Sequence, residues 1–115
     1  MKREDRVYLQ HALDAIAKIH QYLRDVDRSR FLAESLIQDG VIRQLEILGE
    51  AVRRLSPRLR EDHNQVPWKD VAGMRDKLIH GYFGVDLEQA WLTAVEDVPS
   101  LEKEVSAILG EPPGS

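Results

Sequence analysis

Between Glu4 and Val26 the apolar positions Tyr8, Ala12, Ala15, Ile19, Tyr22 and Val26 recur at intervals of four and three, and a second row, Leu9, Leu13, Ile16 and Leu23, runs beside them. A period near 3.6 places both rows on one broad helical face, and a face that wide needs more than one neighbouring helix to cover it. Leu32, Leu36, Val41, Leu45, Leu48, Val52 and Leu55 repeat the pattern further on. No stretch alternates as a strand does, and no segment repeats. The pattern predicts an all-α fold, an antiparallel bundle of four to five helices. At 115 residues the chain is one domain with a single core, expected over residues 1–110. Glu111-Pro112-Pro113-Gly114-Ser115 reads as a disordered tail.

Turn and cap residues divide the bundle. A first helix is expected from about Glu4 to Asp25, followed by a turn in which Ser29 N-caps a second long helix reaching about Leu55. On that helix Gly40, Gln44, Ile47 and Ala51, with Gly49 nearby, form a small-residue face that suits close helix approach and is a candidate dimer seam. Ser56-Pro57 pairs an N-cap with proline at the first helical position, so a short helix from Pro57 to Glu61 precedes the polar loop Asp62 to Gln65. A third main helix should start at Pro67 or Trp68 and end at His80, with Gly81 just past its last turn. Asp86 with Gln89 has capping-box spacing and opens a fourth helix through Trp91, Ala94 and Val95. Pro99 either kinks that helix or starts a fifth through Leu101, Val105 and Ile108. Trp68 and Trp91 are read as core residues.

Composition narrows the chemistry. With no cysteine, disulfides and thiolate metal sites are excluded. The four histidines, His11, His20, His63 and His80, lack metal-binding spacing, so neither a metal nor another cofactor is expected. The first residues mix charge signs ahead of no continuous apolar run, which argues against a signal peptide, and no stretch approaches a membrane span. The expected location is the cytoplasm. A formal net charge of −4 means that any RNA binding is local rather than driven by bulk charge. Arg53, Arg54, Arg58 and Arg60, with Arg43 upstream, either hold phosphates or serve as a solvated helix end whose cations suit the C-terminal dipole.

Pro67 to Phe83 concentrates the chemistry-bearing residues: Arg75, Asp76, His80 and Tyr82 lie around one expected helix end. An arginine five residues before a histidine arises by chance roughly 0.4 times in a chain of this composition, and adding the tyrosine two positions later lowers that to about 0.01. The order Arg-Asp-x-x-x-His-x-Tyr resembles the signature of the HEPN superfamily, and specifically of the HepT-like toxins encoded beside a minimal nucleotidyltransferase antitoxin. The likeness extends to Arg43-Gln44-Leu45-Glu46-Ile47-Leu48-Gly49-Glu50-Ala51 and to Gly84-Val85-Asp86.

Arg75 offers a planar fork of donors for phosphate oxygens and stays charged at any working pH. His80 exchanges a proton near neutrality, its imidazolium favoured by a helix C-terminus and disfavoured by a nearby Arg75. Five helical residues advance about 500°, so the two would stand about 140° apart unless the helix end relaxes. Together they suit transesterification of RNA, which is also what the resemblance implies, with Arg75 and His80 as the catalytic pair and Asp76 orienting the site. The resemblance further implies a two-fold homodimer with a composite cleft, and adenylylation of Tyr82 by the partner nucleotidyltransferase. Two other readings fit the same residues: a HEPN-type dimer that binds RNA, a nucleotide or a partner enzyme without cleaving, and a purely structural helical adaptor. Glu50 either lines the cleft or is an exposed helix carboxylate, and His11, His20 and His63 are assigned no role.

Overall fold

The computed structural model describes residues 1–78 and 84–110. It is all-α, with no extended strand among those residues. Two long helices form its spine: α1 (Arg3–Tyr22) and, after the short α2 (Arg28–Ala33), α3 (Ser35–Arg53). They pack antiparallel. Near one end the Tyr22 ring lies against Gly40, where a Cβ would come within 3.2 Å of it. At the other, the buried Asp5 carboxylate accepts hydrogen bonds from the Ser56 backbone N–H at 2.8 Å and hydroxyl at 2.7 Å. Between these ends Leu9, Ile16 and Ile19 of α1 and Val41, Leu45, Leu48 and Val52 of α3 are fully buried. Cutting any of these leucines to alanine removes about 2–5 kcal/mol of stability.

The second long helix is interrupted where continuity was expected. Its N-cap is Asp27 rather than Ser29: the Asp27 carboxylate accepts from the Arg30 N–H at 2.8 Å. At Glu34 the backbone turns extended, with φ −116° and ψ 106°, and α3 starts afresh. The break rotates the helical phase, so Phe31 is fully buried, whereas Leu36, placed on the core side by periodicity, is 85% exposed.

The next elements follow their signals more closely. Ser56 caps α4 (Pro57–Asp62) by accepting from the Leu59 N–H, and Trp68, buried, donates its indole N–H to the His63 carbonyl at 2.9 Å. The helix expected from Trp68 to His80 is divided at Gly73 into α5 (Trp68–Ala72) and α6 (Met74–Leu78); its expected end at His80 and Gly81 lies outside the described residues. Asp86 opens α7 (Leu87–Leu92) by accepting from the Gln89 N–H, while the Gln89 side chain donates forward to Thr93 Oγ1 instead of back to the cap. Pro99 stands in the first turn of a further helix, as expected, although the chain ahead of it stays helical. A π-helical segment, Thr93–Asp97, joins α7 to α8 (Val98–Leu109) as one rod. Proline has no N–H for the preceding turn, and a wider turn just ahead of it absorbs that mismatch without a chain break. Trp91 is half-buried against Phe31, ring centroids 5.5 Å apart. The tail, residues 111–115, lies outside the described residues.

The small-residue face of α3 works within the chain. Gly49 lets α5 approach so closely that a Cβ there would stand 3.2 Å from the Val71 carbonyl oxygen, and Gln44 and Ala51 are buried. No helix among the described residues is long and apolar enough to cross a membrane.

Candidate active site

Close packing of α5 on Gly49 sets where α6 runs. Gly73 ends α5, its N–H bonded to the Lys69 carbonyl at 3.0 Å, and its own carbonyl receives the Asp76 N–H at 3.1 Å. This re-aims the chain so that Arg75 faces α3. Its Nε lies 3.5 Å from Glu46 Oε2, with Arg75 well exposed and Glu46 about a third exposed. Arg75 and Glu46 stand together on the wall of a cleft of about 420 Å³ between α1, α3 and α6, lined also by Tyr8, His11, Arg43, Ile47, Glu50, Ala51 and Arg54.

The cleft carries ordered charge. Glu50 lines it and is also largely exposed, so both sequence readings of that residue hold; its carboxylate accepts from Arg54 Nε at 3.2 Å. The Arg54 guanidinium is held above its ordinary range, first by that hydrogen bond and then by the Tyr8 hydroxyl. Arg43 has no ion-pair partner among the described residues. The Tyr8 and His11 rings meet edge to face, centroids 5.8 Å apart.

The rest of the arginine cluster serves the helix ends. Arg60 donates to the Val52 and Arg53 carbonyls at 3.0 and 2.7 Å, and Arg53 to the Ala72 carbonyl at 3.1 Å, satisfying acceptors that helices α3 and α5 leave open. Arg58 pairs with Asp62 within α4.

Among the sequence-derived site residues, Arg75 is in the cleft. Asp76, one residue on, is exposed in the first turn of α6, and its carboxylate has no ion pair among the described residues; the carboxylate facing Arg75 is Glu46. His80 and Tyr82 lie outside the described residues. The chain on either side of them is joined, because the Asp86 N–H donates to the Leu78 carbonyl at 2.8 Å. Sequence reasoning passed over Tyr8, His11 and Glu46. The available signal for the first two was their spacing of three, which puts two polar-tipped rings on one side of α1.

The family model for HepT-like ribonucleases matches residues 12–108, nearly the whole bundle and all of the Arg75 to Tyr82 motif. The chain belongs to the HepT-like ribonuclease family. Among its relatives, a "probable ribonuclease HepT" of Thermococcus cleftensis is 43% identical over 89% of this chain and 93% of its own length. A "putative RNase" of Caldanaerobacter subterraneus subsp. tengcongensis is 42% identical over 90% of this chain and 93% of its own. A "gamma-glutamylcyclotransferase and putative RNase" of Methanocaldococcus jannaschii is 41% identical over 96% of this chain, which spans half the length of that longer protein. No solved structure gives a significant match. Membership in the HepT-like family agrees with the resemblance carried by the motif, and the all-α bundle agrees with the fold that the resemblance implies.

Proposed function

We propose that the protein is a metal-independent endoribonuclease toxin that works as a two-fold homodimer in the cytoplasm and is neutralised by a cognate nucleotidyltransferase antitoxin. The observation that carries this reading is the position of Arg75. It stands in a cleft of about 420 Å³ on a scaffold of the HepT-like family, directly before the motif segment whose flanks close at Leu78 and Asp86.

In this mechanism His80 takes the proton from a ribose 2′-OH, and the freed oxygen attacks the adjacent phosphorus. Arg75 stabilises the charge gathering on the non-bridging oxygens. The bond to the 5′-oxygen breaks, that oxygen is protonated by a second acid, and the products are a 2′,3′-cyclic phosphate and a 5′-OH. One chain supplies one such histidine; a second copy across a two-fold axis supplies the other. Glu46 holds Arg75, and Asp76 orients His80 through its carboxylate. Regulation acts at Tyr82: its phenol oxygen attacks the α-phosphorus of ATP, pyrophosphate leaves, the phenolic proton is lost, and the attached AMP competes with RNA for the donors of Arg75.

The test is cleavage of a labelled oligoribonucleotide with end-group analysis. A cyclic phosphate product formed by wild type and lost in His80→Ala supports the assignment. No cleavage at any salt concentration sinks it in favour of a HEPN-type dimer that binds without cutting, and equal cleavage by His80→Ala overturns the chemistry assigned to that histidine.

A further inference from the structure

The cleft holds more than the one arginine that the cleavage chemistry uses. Among the described residues its charges are three guanidinium groups, Arg43, Arg54 and Arg75, and two carboxylates, Glu46 and Glu50. Both carboxylates are taken up by arginines, Glu46 by Arg75 and Glu50 by Arg54 and, at 4.0 Å, by Arg53. Arg43 is left over, a surplus of one positive charge on a chain whose formal net charge is −4. One phosphodiester carries one negative charge. A long phosphate tract would meet repulsion elsewhere on such a surface, so the electrostatic fit is to a single nucleotide unit.

The shape agrees. A volume of about 420 Å³ lies in the range of about 300–1,000 Å³ typical of small-ligand sites. Ile47 and Ala51 give it an apolar floor. Tyr8 and His11 meet edge to face and so form a corner, in which a base can lie against one ring while meeting the edge of the other. His11 is exposed and Tyr8 half-buried, so the corner opens outward.

We propose that this cleft is a subsite for one nucleotide of single-stranded RNA, with the base against the Tyr8–His11 corner and its phosphate between Arg43 and Arg75. The proposal rests on the ribonuclease reading of the same site and adds residues from α1 that lie outside the motif. Stacking on aromatic rings accepts any base, so the subsite supplies affinity and register with little sequence choice. Glu50, fixed by Arg54, remains able to accept from a 2′-OH or an exocyclic amine.

Binding is measured by fluorescence anisotropy with a labelled 2′-O-methyl oligoribonucleotide, which cannot be cleaved because its 2′-oxygens are blocked. His11→Ala weakens binding about 5- to 150-fold with the salt dependence unchanged, and His11→Phe restores it. Arg43→Gln weakens binding and reduces the slope of log K against log salt by about 0.7, the value for one lost contact to a single strand. Wild-type affinity and slope in both His11→Ala and Arg43→Gln overturn the subsite, as does failure of His11→Phe to rescue. The two readings separate cleanly. A protein that cuts RNA yet is indifferent to His11 and Arg43 keeps the nuclease and loses the subsite, whereas one that binds with the expected dependence and never cuts does the reverse.

Discussion

The Glu46 carboxylate faces the Nε edge of the Arg75 guanidinium, Oε2 to Nε 3.5 Å, from a neighbouring helix. An arginine engaged along that edge keeps its other donors for a ligand and loses part of its rotational freedom before the ligand arrives. At the exposure of Arg75, 62%, the pair adds little to folding stability. Its value lies in aim.

Glu46→Gln is therefore expected to lower kcat about tenfold with KM changed much less, while Arg75→Ala lowers kcat about 100- to 1,000-fold, as loss of a donor to developing charge does elsewhere. Both should keep wild-type helix content by circular dichroism. Equal kcat for Glu46→Gln and wild type would show that Arg75 needs no positioning by α3.

Stability should respond sharply at Asp5. Its carboxylate is buried and accepts both hydrogen bonds that Ser56 offers, so Asp5→Ala orphans a backbone N–H and a hydroxyl at the junction of α1 and α4. A loss of about 2 kcal/mol follows. Thermal unfolding should fall by roughly 8 °C for a domain of this size.

Gly49 links stability to the site. A β-branched residue there must push the Val71 carbonyl and α5 away from α3, and α6 with Arg75 follows α5. Gly49→Val should cost about 1–3 kcal/mol and reduce cleavage even at temperatures where the variant is fully folded. Activity that tracks only the folded fraction would argue that the placement of Arg75 is independent of this contact.

Co-expression with the cognate nucleotidyltransferase should add mass in multiples of AMP to the peptide containing Tyr82. Tyr82→Phe should remain toxic and escape neutralisation. Neutralisation unchanged by that substitution would point to an antitoxin that simply covers the cleft.

Association is expected to be reversible and two-fold, with sedimentation of His80→Ala matching wild type across micromolar concentrations. A stable monomer with full activity would remove the composite site. Ala51→Trp is a poor probe of the dimer, because Ala51 is buried and already lines the cleft within one chain.

Much of this architecture was legible where a single local interaction decides it. Ser56 before Pro57, and Asp86 three residues before Gln89, mark helix starts because the capping hydrogen bond is made within one turn. The break at Glu34 left no comparable mark: no glycine or proline stands there, and burying Phe31 outweighs the helical preference of its neighbours. Likewise the small face of α3 was recognisable as a close-approach surface, but which helix uses it depends on tertiary packing, and α5 does. Arg75 and the Arg43 to Ala51 segment were visible as motifs, while Tyr8 and His11 became part of the site only through the antiparallel register of α1 on α3. The roles of His80 and Tyr82 continue to rest on the motif.

The bond from the Asp86 N–H to the Leu78 carbonyl has a consequence for how such a protein diversifies. It closes the motif-bearing segment at its base, and Leu78 and Ala90 anchor the two flanks in the core. Insertions, exchanges or attached groups between those flanks need not disturb the helices that carry them. The residues between the flanks can therefore differ from one lineage to the next on an unaltered bundle.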